Sequence, residues 1–130
     1  MKEIERNSLV FYRLNKAKEI LLEIDLLIDN QLWNTAVNRL YYACYYAVIA
    51  LLIKKGIKTQ THTGVRQMFG LQIVKTGLID KELGRYFSDI FDKRLTGDYD
   101  DFIDYEKDDV IDLVAPAKKL IIQIENLTRE

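Results

Sequence analysis

The sequence predicts an all-α protein, a four- to five-helix antiparallel bundle. Among its 130 residues are one proline and six glycines, too few breakers for a chain of short strands and turns. Apolar residues recur at spacings of three and four over long stretches, which is the period of a helix face and not the alternation of a strand. Hydrophobic residues make up 48% of the chain, enough for one buried core, and the length suits a single domain over residues 1–130.

The first helix is predicted from about Ser8 to Asp29, with Leu14, Ala17, Leu21, Ile24 and Ile28 on one stripe. The second runs from about Leu32 to Lys55, and Gly56 is placed to stop it. Val37, Leu40, Tyr41, Cys44, Val48, Leu51 and Leu52 make one of its stripes; Tyr42, Tyr46, Ile49 and Ile53 make another. A helix apolar on nearly all sides is either central or covered by a second chain, and in a small domain a homodimer contact is expected. The third helix is predicted from about Thr63 to Lys75, with Thr61 or Thr63 as its cap and Gly77 closing it. The fourth runs from about Asp80 to Leu95, with Gly97 just past its end, and aligns Leu83, Phe87 and Ile90. The fifth spans about Glu106 to Thr128 on Val110, Val114, Ala117, Ile121 and Ile124. Pro116 falls inside it and predicts a kink or a break there.

Composition narrows the function. A formal net charge of −1 and a pI near 5.9 argue against a nonspecific nucleic-acid binder, which carries a basic excess. The single cysteine, Cys44, excludes an intrachain disulfide, and the chain reads as intracellular, with a cytoplasmic location expected. The apolar run Tyr41–Ile53 is short of the roughly 20 residues that span a bilayer. The opening "MKEIERNSLVFYR" lacks the basic-then-apolar order of a signal peptide.

Arg94 stands three residues after Phe91, four after Ile90 and seven after Phe87. It therefore continues the apolar stripe of the fourth helix and points inward or toward a cleft. A lone charge is too costly to bury there. Two partners satisfy it: Asp98 one turn on, as an ion pair at a helix end, or a phosphate held by the guanidinium fork. Asn38 and Arg39 are the strongly polar residues between Thr35 and Lys54. With Tyr41 and Tyr42 they form either a register-fixing network or a pocket wall near Arg94. His62, the only histidine, precedes a helix start, where anions bind readily, but one histidine without cysteine or acid at ligand spacing is no metal site. Seven carboxylates lie between Asp98 and Asp109: Asp98, Asp100, Asp101, Asp104, Glu106, Asp108 and Asp109. Phe102 and Ile103 occupy positions where a calcium loop needs a ligand and a glycine. Neither a metal nor a cofactor is expected.

Three segments in order carry a family resemblance: "NRLYY" at Asn38–Tyr42, "THTG" at Thr61–Gly64 and "RLTGDY" at Arg94–Tyr99. Together they resemble the HEPN domain family, in its small stand-alone branch, over essentially the whole chain. The resemblance implies a helical bundle that pairs as a homodimer. It also implies one of two roles. In the first, the domain partners a minimal nucleotidyltransferase in a toxin–antitoxin or nucleotide-handling pair, with a nucleotide or RNA phosphate in a shared cleft. In the second it is a metal-independent ribonuclease, in which an arginine is followed after four to six residues by a histidine. Arg94 matches the arginine. The histidine positions hold Tyr99, Asp100 and Asp101, and no histidine follows Arg94. Tyrosine, with an ordinary pKa of about 10, is a weak base at neutral pH. The expectation is a module that is not an enzyme of the usual kind, with Arg94 as the anion contact, Asp98 orienting it, and Asn38, Arg39, Tyr42 and His62 as neighbours. The alternatives are a ribonuclease toxin using Arg94 with Asp98 or Tyr99 as a non-histidine base, and a purely structural dimerisation domain.

Overall fold

The structure is a computed structural model that describes residues 2–100 and 102–130; Asp101 lies outside these. It contains α1 (Glu3–Asp29), α2 (Trp33–Lys54), α3 (His62–Met68) continuing into a π-helical segment (Phe69–Val74), α4 (Lys81–Tyr99) and α5 (Lys107–Thr128). No strand occurs among the described residues. The fold is the all-α bundle the sequence predicts.

The second helix is the hub. It packs against α1, α4 and α5, and its first stripe is fully buried, joined by Ala36, Ala43, Ala47 and Ala50 on the flanks. The alanines let neighbouring helices approach closely. By length and composition α2 is apolar enough to cross a bilayer, but 61% of that apolar window is buried inside the bundle, which is the pattern of a core helix. Its all-round apolarity is thus largely met within one chain, and the second stripe (Tyr42, Tyr46, Ile49, Ile53) remains half-buried.

The helix ends follow local chemistry. The α1–α2 turn passes through Gln31 with φ of 58°. The Thr61 hydroxyl caps α3 by accepting from the Gly64 amide at 2.9 Å, and Asp80 caps α4 from Leu83 at 2.8 Å. A capping box between Glu106 and Asp109 starts α5. Gly56 and Gly77 close the second and third helical segments at φ of 73° and 88°, where a side chain would be strained.

Two boundaries and one expected break differ from expectation. The first helix begins at Glu3, five residues before Ser8. The fourth runs on to Tyr99, so Gly97 lies inside it and does not stop it. A Cβ at Gly97 would meet the Tyr105 ring at 3.0 Å; the glycine is there for that approach. The fifth is one uninterrupted helix through Pro116. The proline leaves the Asp112 carbonyl without its amide donor, and beside it the Tyr86 hydroxyl donates to the Leu113 carbonyl at 2.7 Å. Gly84 marks another close approach: a Cβ there would stand 2.8 Å from both methyls of Val74, at the end of the π-helical segment.

The loop after α4 is pinned back to the bundle. The Asn34 amide donates to the Ile103 carbonyl at 3.1 Å and accepts from the Tyr105 amide at 2.7 Å. The Tyr105 hydroxyl donates to the Lys93 carbonyl at 2.8 Å. These bonds fix the C-terminal turns of α4, and with them Arg94 and Asp98.

Candidate functional site

Arg94 is the one buried charged side chain among the described residues, 8% exposed. Phe87, Ile90 and Phe91, which precede it on α4, are core residues, so the helix period carries the guanidinium into the bundle. There it lies against three rings: its central carbon is 4.7 Å from the centroid of Tyr41, 5.7 Å from Tyr42 and 5.9 Å from Phe91. Ring faces attract a desolvated cation, which offsets part of the burial cost but satisfies no N–H donor. The ion pair with Asp98 is long, 3.8 Å from Nη1 to Oδ2, and Nε is buried without a hydrogen-bond partner among the described residues. The guanidinium is therefore positioned and only loosely paired, with its Nε lacking a hydrogen-bond partner among the described residues.

Asp98 is turned as much toward α2 as toward Arg94. The Asn38 side-chain amide donates to its Oδ2 at 3.0 Å and its Oδ1 at 3.3 Å. Asn38, Asp98 and Arg94 thus form one connected group across α2 and α4.

His62, at the first turn of α3, joins the same cluster. Its Nδ1 shares a hydrogen bond of 2.7 Å with the hydroxyl of Tyr41, whose ring underlies Arg94. The imidazole stacks on Tyr45 at 4.2 Å and 10° and meets Tyr42 edge-on at 5.9 Å. Burial and then the nearby Arg94 charge push the His62 pKa below its ordinary 6.5, so it is neutral at pH 7. Burial raises the Tyr41 and Tyr45 phenols, and both stay protonated.

The other residues singled out in the sequence fall differently. Tyr42 forms part of the aromatic wall. Arg39 is engaged elsewhere, its Nε donating to Glu23 of α1 at 2.8 Å and Nη2 at 3.4 Å. Tyr99 is 77% exposed at the end of α4. The Asp100 carboxylate accepts from the Phe102 amide at 2.9 Å and so shapes the turn. Tyr41, which the sequence placed with Asn38 and Tyr42 near Arg94, and Tyr45, which it left out, link His62 to Arg94. Their signal was the repeat of tyrosine at positions four apart, Tyr41 with Tyr45 and Tyr42 with Tyr46, which lines two ring pairs along one side of α2.

Chemically, the cluster can hold an anion at Arg94 and present a neutral imidazole beside it. Among the described residues no group of three or more histidine, cysteine or acidic side chains could hold a metal ion.

Known proteins are similar to this chain in sequence. A UPF0332 protein of Thermotoga maritima is 37% identical over 126 residues, covering 97% of this chain and 96% of its own. Two proteins of Methanocaldococcus jannaschii, each named as a candidate toxin, are 33% and 35% identical. The first match covers 82% of this chain and 86% of the relative, the second 74% and 65%. The family model for the HEPN domain matches residues 10–127, a span that takes in the Arg94 cluster, α2, α3 and α4 whole, and most of α1 and α5. The chain belongs to the HEPN domain family.

Proposed function

We propose that this protein is a toxin-like HEPN module whose Arg94 site holds a phosphate group of RNA or of a nucleotide. The observation that carries the reading is the state of Arg94: buried, fixed against three rings, with a long ion pair and an unpartnered Nε. A phosphate supplies the short charge-assisted bonds that Asp98 does not. The exposed Tyr99 and Phe102, 77% and 95% open at the end of α4 and in the turn that follows, suit a covering partner. In this reading the partners are a second copy, which brings two Arg94 sites to one cleft, and a minimal nucleotidyltransferase.

The test is direct. A labelled oligoribonucleotide titrated into the protein binds with an affinity that falls as salt rises, and Arg94→Met removes most of that binding. Retained affinity in a folded Arg94→Met protein sinks the reading. Co-expression with a nucleotidyltransferase encoded beside it yields a stable complex, and a protein that ignores it carries no such partnership.

A second reading rests on His62. A neutral imidazole beside a phosphate-binding arginine is suited to take a proton from a ribose 2′-hydroxyl. This is metal-independent RNA cleavage with the histidine supplied by α3 and not by the residues after Arg94. It requires the tautomer in which Nδ1–H donates to the Tyr41 oxygen and leaves Nε2 free to accept. Cleavage in a chelator that is lost in His62→Gln supports it; cleavage unchanged in that variant excludes it.

A further inference from the structure

A second concavity is lined by Tyr45 but by neither Arg94 nor His62. It opens between the N-terminal half of α1, the C-terminal half of α2 and the loop that follows α2, and has a volume of about 440 Å³. Small-molecule sites typically fall between roughly 300 and 1,000 Å³. One wall is apolar: Tyr45, Ile49 and Ile53 at successive turns of α2, with Ile57 and Val65 beyond. The other charged or polar lining is Arg6, Arg13, Lys58, Thr59 and Gln60. Three cations and no carboxylate line this groove, in a chain whose formal net charge is −1.

Arg13 is the counterpart of Arg94. Its guanidinium carbon lies 5.6 Å from the Tyr46 centroid and 5.8 Å from that of Tyr12. Its Nε, too, is buried with no hydrogen-bond partner among the described residues. The rings connect the two arginines. From Arg94 the path runs over Tyr41, through the Tyr41–His62 hydrogen bond, across the His62–Tyr45 stack, and on to Tyr46, 6.0 Å from Tyr45.

From this arrangement we infer that the α1–α2 groove is a nucleotide subsite. A phosphate sits on Arg13, with Lys58 and Arg6 adding charge, and a base lies on the Tyr45–Ile49–Ile53 wall. A simple inorganic anion would leave that apolar wall unused, and a neutral apolar ligand would leave three cations uncompensated; a nucleotide uses both. The subsite stands without the Arg94 reading. If that reading also holds, the chain carries two separate phosphate contacts, Arg13 and Arg94, joined through the buried Tyr41 ring.

The experiment titrates adenosine 5′-monophosphate and an adenosine pentaribonucleotide separately into the wild-type protein and into the Arg13→Gln, Lys58→Ala and Arg94→Met variants. Helical content and thermal midpoint serve as controls for folding. Lys58 is exposed on the loop, so its variant keeps the test alive if Arg13→Gln unfolds. Losing the charge-assisted contact at Arg13 lowers affinity roughly ten- to a hundredfold. If Arg13→Gln weakens the mononucleotide and Arg94→Met does not, the groove takes a free nucleotide. If only the pentaribonucleotide is weakened, the groove holds one residue of a strand. A loss confined to Arg94→Met overturns the inference and leaves the Arg94 site standing. A loss confined to the groove variants does the reverse. Unchanged nucleotide affinity in Arg13→Gln and Lys58→Ala, with or without a change in oligomeric state by sedimentation, also overturns it, since the cations then serve protein contacts or none.

Discussion

Tyr41 and His62 meet at 2.7 Å, hydroxyl to imidazole, although twenty-one residues separate them. That bond joins the core helix to the first turn of α3 and brings the only histidine of the chain to the ring that underlies Arg94.

The first prediction concerns proton binding at His62. Its folded pKa lies below 6.5, through burial and then Arg94. Between the two values the unfolded chain binds more protons than the folded one, so stability rises with pH there. The contribution is intact above about pH 7 and is lost progressively as pH falls through the unfolded value toward the folded one. In His62→Gln this slope disappears from denaturant midpoints measured across that window. The single imidazole signal in proton NMR titrates at higher pH in Arg94→Met than in the wild type.

Arg94 offers a contrast between two substitutions. Methionine keeps contact with Tyr41, Tyr42 and Phe91 and removes a buried charge that is loosely paired, so folding stability stays within about 1 kcal/mol of wild type. Alanine empties the same space and costs about 2–4 kcal/mol. Urea midpoints distinguish the two, and equal losses in both variants would mean that the charge itself holds the helices together.

Gly97 reverses a usual rule. Glycine to alanine inside a helix normally stabilises by about 1 kcal/mol. Here the added methyl meets the Tyr105 ring at 3.0 Å, and that ring is held by its bond to the Lys93 carbonyl. Gly97→Ala alone yields no gain in melting temperature. The same change in a Tyr105→Ser background yields the ordinary gain, a coupling that a double-mutant cycle measures.

Tyr86 bonds the turn of α5 that precedes Pro116. Tyr86→Phe removes the donor to the Leu113 carbonyl and costs about 1–2 kcal/mol. Pro116→Ala restores an amide donor to the Asp112 carbonyl and not to Leu113, so the cost of Tyr86→Phe is the same in that background. A smaller cost there would show that the hydroxyl takes part in accommodating the proline.

Much of the fold was legible because periodicity reports burial. Each α2 residue placed on the first stripe is buried, and the Arg94 position on the inward face followed from its spacing to Phe87, Ile90 and Phe91. The end of α4 was not legible, because glycine stops helices in one setting and admits a neighbour in another, and Tyr105 is a tertiary partner. The uninterrupted α5 was not legible either, since a proline inside a helical pattern reads as a break or kink. The pairing of Arg39 with Glu23 had a readable cue: each lies eight residues from Gln31, and an antiparallel hairpin turning there sets them level. The meeting of His62 and Arg94 had none, since thirty-two positions and a change of helix direction separate them.

The close seat of Gly84 on Val74 makes α4 a lever. The fulcrum is a glycine with no functional group, and the working end is Arg94, ten residues along, about 15 Å at the helical rise. A side chain introduced at position 84 would tilt that lever against the π-helical segment and move the guanidinium on its aromatic seat. Damage to the Arg94 cluster can therefore originate at a residue that shares none of its chemistry, and a screen that ranks variants by distance from Arg94 would overlook it.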